Sequence, residues 1–164
     1  MKVFRIAKKN YINDLSGEGA RLYGGRWNKK GSAVLYTSGS RSLATVEYLV
    51  HLPMSIMAND VCIAEIEIPD SGSIQTVEIS SLPDLWMSYP SPNDLAEIGD
   101  IWKQRSTDLI LKVPSAVVKN EWNYLINPEH EDFKTVTINL VEEYVFDNRL
   151  LRSRSKANIK FDLT

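Results

Sequence analysis

The feature that most constrains the fold is a run of alternating apolar and polar side chains over residues Val61–Ile68. Side chains two positions apart point to the same face of a β-strand, so this run predicts a strand with one buried face and Glu65 and Glu67 in water. Pro69 ends the strand, and Ile74–Ile79 is predicted to pair beside it as a hairpin across the turn Asp70–Gly72. The inner face would consist of Cys62, Ala64, Ile66 and Ile68.

Shorter apolar runs predict several more strands and two helices. A helix over Arg41–His51 follows from apolar residues spaced three and four apart, and a second helix is capped by Asn93 or Asp94, with Leu95, Ile98, Ile101 and Trp102 on one side. Trp122–Pro128 is interpreted as a turn or short helix, and Glu142–Leu151 fits either a helix or a strand. The remaining strands are Val3–Ile6, Val34–Thr37, Asp108–Val113 and Lys134–Leu140.

The order of these elements predicts a single α+β domain built on curved, mainly antiparallel sheets with a few helices. The sequence contains no internal repeat and no linker long enough to divide the chain, and 164 residues with 43% hydrophobic side chains suffice for one core. We assign residues 1–152 to this domain and residues 153–164 to a basic tail. The cluster Arg149, Arg152, Arg154, Lys156 and Lys160 is either a solvated tail or a docking surface for an acidic partner.

Composition excludes several classes of function and location. The net charge of −2 makes nucleic acid a poor default partner. The charged amino terminus lacks the apolar core of a signal peptide, and no apolar run approaches the roughly 18 residues of a membrane span. The single Cys62 is expected to be a packed thiol, which fits a reducing compartment. A cytoplasmic protein without membrane contact is therefore predicted.

One arginine lies in a glycine-framed turn beside an indole, in the segment Leu22–Gly31. Gly24 and Gly25 can adopt positive φ angles and allow a ligand to approach the backbone, while the guanidinium of Arg26 offers a planar fork of donors suited to phosphate or carboxylate. The segment has the chemistry of an anion-binding site.

A carboxylate falls on the apolar side of the helix that follows. Glu47 shares its stripe with Leu43, Val46 and Val50, where a charge costs free energy unless a partner meets it. The candidates are Arg26, Tyr36 or the hydroxyl groups of a ligand. A structural ion pair with Arg41 or Arg21 is the competing interpretation.

These residues together resemble the RES domain family, which is named for an arginine, a glutamate and a serine. The resemblance runs from Val3 to about Leu150, and the string of two glycines, arginine, tryptophan and asparagine is its specific part. The resemblance is carried by Gly25-Arg26-Trp27-Asn28, Gly31, Tyr36, Glu47 in Ala44-Thr45-Val46-Glu47, and Val113-Pro114-Ser115.

The resemblance implies a fold similar to ADP-ribosyltransferase toxins, consumption of NAD, and a partner antitoxin that carries a helix-turn-helix domain. It implies that Arg26 clamps the pyrophosphate, that Tyr36 stacks on or bonds near the nicotinamide ribose, and that Glu47 holds negative charge near the anomeric carbon. Ser115 is assigned to substrate positioning, and Arg5, Asn28 and Asn123 to substrate binding. NAD would be a substrate, so no retained cofactor is expected. The sequence does not determine the oligomeric state, and a homo-oligomer is one of the alternatives.

Three activities are compatible with this set of residues: cleavage of NAD by water or phosphate, transfer of ADP-ribose to a macromolecule, and noncatalytic binding of a nucleotide or a protein. Other enzyme classes lack their motifs. His51 and His130 have neither the spacing nor the company of metal ligands, so no metal site is expected. No phosphate-binding Walker motif occurs, and the glycines lack the spacing of a dinucleotide-binding Rossmann turn.

Overall fold

The computed structural model describes residues 1–52, 60–147 and 149–150. Over this part the chain forms seven strands and three α-helices, with 3₁₀ turns at Lys9–Tyr11, Ile79–Ser81 and Glu131–Thr135. The helices are α1 (Glu18–Tyr23), α2 (Arg41–His51) and α3 (Asn93–Arg105). The strands are β1 (Lys2–Lys8), β2 (Leu35–Ser38), β3 (Val61–Glu67), β4 (Ile74–Thr76), β5 (Ile110–Pro114), β6 (Trp122–Ile126) and β7 (Thr137–Glu143).

The strands form one sheet in the order β4-β5-β6-β2-β1-β3-β7. Every neighbouring pair is antiparallel except β4 and β5, which run parallel. The predicted α+β domain with mainly antiparallel pairing is thus confirmed. The basic segment 153–164 lies outside the described residues. Arg149 is described, and it forms an exposed ion pair with Asp147 at 2.7 Å.

The predicted hairpin between the third and fourth strands is wrong. Ile74 on β4 pairs with Ile110 on β5, whereas β3 lies between β1 and β7. Both edges of β3 already have hydrogen-bonding partners, β1 and β7. The segment after Pro69 therefore forms β4 at the far edge of the sheet, beside β5. Alternation along a strand indicates its faces, but it carries no information about which strand lies beside it.

The sheet buries side chains on both faces. One cluster contains the predicted inner face of β3, and Cys62 within it is a buried free thiol, as predicted. The other cluster includes Trp27, Leu95, Trp102 and Leu111, and it joins α3 to the sheet. Glu65 is half-buried rather than immersed in water, since Lys2 lies 2.7 Å from its carboxylate.

Helix α2 has the predicted bounds, and the Ser40 hydroxyl caps its first turn by accepting a hydrogen bond from the Leu43 N–H. Helix α3 begins at Asn93 but has no side-chain cap, and Ile101 is 49% exposed. The buried stripe of α3 instead contains Gly99, because the backbone of the Arg26 turn packs directly against that position.

The structure also corrects the interpretation of the chain near its C-terminal end. Trp122–Ile126 is a strand, not a turn or short helix, because β5 and β2 pair with it on either side. Strand β7 begins later than predicted, since Glu131–Thr135 forms a 3₁₀ turn. It extends to Glu143, into the segment whose sequence fits either a helix or a strand.

We predict that Gly99→Ala lowers the free energy of unfolding by about 1–3 kcal/mol, measured by urea denaturation. A β-carbon at Gly99 would lie 1.8 Å from the Trp27 carbonyl oxygen, so the Arg26 turn must move away from α3. Gly19→Ala is the matched control, because nothing lies within 4 Å of the added β-carbon. Alanine favours the helix α1 over glycine, so this variant should raise the free energy of unfolding by about 0.5–1 kcal/mol. Unchanged stability of Gly99→Ala would contradict this packing.

Candidate active site

A cleft of about 800 Å³ opens where β1, β2 and the start of β6 meet the helix α2. This volume lies in the range of small-molecule sites. The residues from the sequence prediction that line it are Arg5, Arg26, Tyr36, Glu47 and Asn123. Asn28 and Ser115 are buried behind its wall.

The carboxylate of Glu47 is held by two neutral donors. Its Oε1 accepts a hydrogen bond from the Ser115 hydroxyl at 2.8 Å and another from the Asn123 side-chain amide at 2.6 Å. The Ser115 oxygen in turn accepts hydrogen bonds from the backbone N–H groups of Val117 and Val118, at 3.1 and 3.0 Å. Ser115 is 2% exposed, and its oxygen is occupied by these two backbone donors, so its contact with the site is the hydrogen bond that it donates to Glu47.

The competing interpretation of Glu47 as half of a structural ion pair is wrong. Arg41 bonds to Glu142 at 2.8 Å, and Arg21 bonds to Glu18 at 2.6 Å. Across the described residues no salt bridge reaches the Glu47 carboxylate. His51 meets only the backbone carbonyl of Glu47, at 2.8 Å from Nδ1. Among the described residues, the carboxylate of Glu47 is therefore held by neutral donors only.

The guanidinium of Arg26 faces the same cleft and is fixed by backbone carbonyls. It donates from Nη1 to the Trp86 carbonyl and from Nη2 to the Ser88 carbonyl, the latter at 3.1 Å. Partial burial lowers the pKa of Arg26, and the nearby charge of Glu47 opposes that shift. Because arginine has five N–H donors, the fork retains donors for an anion after these two bonds.

The turn that carries Arg26 is built around the hydroxyl of Tyr36. This hydroxyl donates to Asn28 Oδ1 at 2.7 Å and accepts from the Trp27 N–H at 3.1 Å. A β-carbon at Gly25 would lie 2.6 Å from the same oxygen, which explains the glycine. Burial raises the pKa of Tyr36, and the residue also lines the cleft.

Asn28 completes the turn from behind. Its side-chain amide donates to the backbone carbonyls of Ala20, Lys29 and Ser32, at 2.9 to 3.0 Å. With its side-chain oxygen bonded to Tyr36, both polar atoms of the Asn28 side chain have partners within the protein. The structure thus places Asn28 in the support of the cleft wall.

Arg5 supplies a second guanidinium to the cleft from strand β1. Its Nη1 donates to the backbone carbonyl of Asp14 at 2.5 Å and makes a longer contact to that of Ile12 at 3.4 Å. Burial lowers the pKa of Arg5 from its usual value, but a guanidinium stays protonated under all ordinary conditions. Arg5, Arg26 and Glu47 thus share the cleft, and two further acidic residues, Asp14 and Glu18, also line it.

Several polar or aromatic residues at the cleft were missed from the sequence. Ser38 lies opposite Asn123 in the sheet and donates to its side-chain oxygen at 2.8 Å. Tyr48 lies on α2 next to Glu47, and Tyr89 comes from the segment after Ser88. His51 also lines the cleft and was not missed, because helical spacing from Glu47 already indicates that it lies on the same side of α2, whereas Ser38 depends on strand pairing that the sequence does not reveal.

Neither a metal-binding cluster nor a membrane-spanning helix is found among the described residues. No group of three or more histidine, cysteine, aspartate or glutamate side chains is arranged there to hold a metal ion. Within the same residues, no helix combines the length and the apolar character needed to cross a bilayer.

The fold and the cleft define an α+β protein in which the carboxylate of Glu47 and the guanidinium groups of Arg5 and Arg26 line one hollow of ligand size. The chain belongs to the RES domain family, whose family model matches residues 2–147. The resemblance found in the sequence is thereby confirmed.

Relatives and a solved structure agree with this assignment. A protein of Sphingobium sp. (strain YBL2) named Prs ADP-ribosylating toxin is 37% identical over 148 residues, which cover 89% of this chain and 92% of that protein. A protein of Yersinia enterocolitica named Toxin Res is 38% identical over 152 residues, which cover 92% of this chain and 99% of that protein. A chain in the crystal structure of the M. tuberculosis MbcT-MbcA toxin-antitoxin complex has the same fold, with a TM-score of 0.71 at 17% identity, covering 87% of this chain and 83% of that one.

We predict that Tyr36→Phe lowers the free energy of unfolding by about 1–3 kcal/mol, because it leaves the Asn28 side-chain oxygen and the Trp27 N–H without their partner. Urea denaturation measures the change. Tyr11→Phe, which alters a 61% exposed side chain, serves as the control and should change stability by less than about 0.5 kcal/mol. Equal effects of the two substitutions would argue against a structural role for the Tyr36 hydroxyl.

Proposed function

We propose that this protein cleaves the bond between nicotinamide and ribose in NAD, which it consumes as a substrate. The observation that carries the proposal is the Glu47 carboxylate, which two neutral donors hold beside a cleft that also contains Arg26 and Arg5. NAD combines a doubly charged pyrophosphate with a cationic nicotinamide riboside. The pyrophosphate would bind the arginines, and the positive charge that develops on the ribose during bond cleavage would face Glu47.

The residues of the cleft match the parts of this substrate. The donors of Arg26 that are not bonded to backbone carbonyls suit the pyrophosphate oxygens, and Arg5 offers further donors to the same charge. The ring of Tyr36 lies along the wall where the nicotinamide ribose would pass. Glu47 accepts a hydrogen bond from a ribose hydroxyl and stabilises positive charge at the anomeric carbon.

A single carboxylate is sufficient for this chemistry. The electron pair of the broken bond leaves with nicotinamide, whose ring nitrogen was cationic, so the leaving group departs neutral without a general acid. Ordinary glycosidases need a second carboxyl group for that step. A preorganised anion beside the cationic transition state contributes roughly 3–4 kcal/mol when it behaves like other single electrostatic groups. The oxygen of water, which releases a proton to the solvent, or an oxygen of phosphate then bonds to the anomeric carbon.

Transfer of ADP-ribose to a macromolecule is the second candidate. The observation in its favour is the name of the Sphingobium relative, Prs ADP-ribosylating toxin. The first bond-breaking step would be the same, and only the acceptor would differ.

We further propose that the protein acts in the cytoplasm as the toxin of a toxin-antitoxin module, where loss of NAD would arrest growth. The names of the relatives support this role, and so does the fold shared with a chain of the MbcT-MbcA toxin-antitoxin complex. A cognate antitoxin with a helix-turn-helix domain would then cover the cleft, as the family resemblance implies.

Glu47→Gln should lower the rate of nicotinamide release from NAD by about two to three orders of magnitude, because it removes the anion but keeps the size of the side chain. Glu78→Gln, which changes an exposed glutamate, is the matched control and should retain full activity. Normal NAD consumption by folded Glu47→Gln would remove this residue from the catalytic list.

The same assay identifies the acceptor. Purified protein is incubated with NAD in phosphate and in phosphate-free buffer, and nicotinamide and ADP-ribose products are followed by chromatography. Release in both buffers with soluble ADP-ribose indicates hydrolysis, and dependence on phosphate indicates phosphorolysis. ADP-ribose bound to protein indicates transfer. Absence of nicotinamide release in every case would favour a noncatalytic binding module.

We expect that expression of the wild-type chain alone arrests bacterial growth, and that Arg26→Ala relieves the arrest through loss of the anion clamp. Because Arg26 also holds the carbonyls of Trp86 and Ser88, circular dichroism must show that the variant is folded. Arg21→Ala, which alters an exposed arginine paired with Glu18, should remain toxic. Persistent arrest by folded, well-expressed Arg26→Ala would contradict the assignment.

A further inference from the structure

A chain of hydrogen bonds joins the Glu47 carboxylate through Asn123 to Ser38, and all three residues line the cleft. Ser38 is the last residue of β2, and it stands directly opposite Asn123 on β6 in the antiparallel pairing. Side chains at such positions lie close together on one face of the sheet. The Ser38 hydroxyl donates to Asn123 Oδ1 at 2.8 Å, and Asn123 Nδ2 donates to Glu47 Oε1 at 2.6 Å.

The chemistry of these groups allows one direction of donation. An ionised carboxylate only accepts hydrogen bonds, so Asn123 must present its NH₂ group, not its oxygen, to Glu47. The amide oxygen then faces Ser38, whose hydroxyl has to donate. A rotation of the amide by half a turn would place oxygen against the carboxylate and replace attraction by repulsion. Ser38 is 5% exposed, although it lines the cleft.

We propose that Ser38 is a positioning residue for the reaction, which acts by orienting the Asn123 amide and through it the carboxylate of Glu47. The proposal rests on the proposed cleavage of NAD for its kinetic consequence, but its structural content is independent of it. Together with Ser115, the Ser38–Asn123 pair determines the direction in which Glu47 presents its second carboxylate oxygen.

A double-mutant cycle in kcat tests whether Ser38 acts through Asn123. Ser38→Ala should lower kcat for nicotinamide release about three- to tenfold with KM for NAD changed by less than about twofold, the expected effect of one neutral hydrogen bond. Asn123→Ala should lower kcat about ten- to a hundredfold, because its bond reaches a charged group. In the Asn123→Ala background, adding Ser38→Ala should then change kcat by less than about twofold.

Thr45→Val is the control for loss of a buried hydroxyl in the same region. Thr45 lies on α2 two residues from Glu47, and its hydroxyl bonds to the Arg41 carbonyl and to Tyr144 instead of to the site. This variant should keep the wild-type kcat. A full three- to tenfold effect of Ser38→Ala in the Asn123→Ala background, or an equal loss of kcat in Thr45→Val, would overturn the proposal.

Nuclear magnetic resonance of the Asn123 side chain provides a readout that does not depend on turnover. In the wild type its two amide protons should resonate far apart, because one is donated to a carboxylate. In Ser38→Ala their separation should shrink, and in Thr45→Val it should persist. An unchanged separation in Ser38→Ala would refute the orienting role. If the wild type releases no nicotinamide, the proposed function fails, and this measurement alone decides the role of Ser38.

Discussion

The site depends on one interaction, the attachment of a single oxygen of Glu47 to Ser115 and Asn123. A half-buried carboxylate loses hydration, and that loss costs free energy unless hydrogen-bond donors of the protein replace the water. Neutral donors restore the lost hydrogen bonds without cancelling the charge. An arginine in their place would have satisfied the carboxylate equally well, but it would have left little net negative charge for a cationic transition state.

The Arg26 guanidinium at the same cleft is held in a similar way, with the charge reversed. Backbone carbonyls hold the Arg26 guanidinium, and carbonyls are neutral acceptors that leave its positive charge available. The turn beneath it is packed from two directions, by the Tyr36 hydroxyl and by Gly99 on α3. The anion and the cation thus face one hollow without forming the salt bridge that would neutralise both.

Local features of the site could be predicted because their causes are local. Ser40 caps α2 within its first turn, so the helix and the placement of Glu47 on it follow from neighbouring residues. The glycine-framed turn around Arg26 is likewise specified by adjacent positions. The family resemblance added Ser115, whose contact with Glu47 joins residues 68 positions apart and has no local signature. Ser38 was missed because its partner lies on β6, which the sequence had suggested to be a turn or short helix.

The sequence alone determined the α+β class, the bounds of α2 and the presence of the strand β3, and it identified an arginine and a glutamate as the charged groups of the site. These features depend on propensity, capping and periodicity, which act over a few residues. The tertiary structure alone decided the position of β4 beside β5, the two donors that select one oxygen of Glu47, and the meeting of Arg5, Arg26 and Glu47 at one cleft. Those outcomes depend on which segments compete for each sheet edge and on contacts between distant parts of the chain. Such contacts are determined by the packing of the whole domain, which no short stretch of sequence specifies.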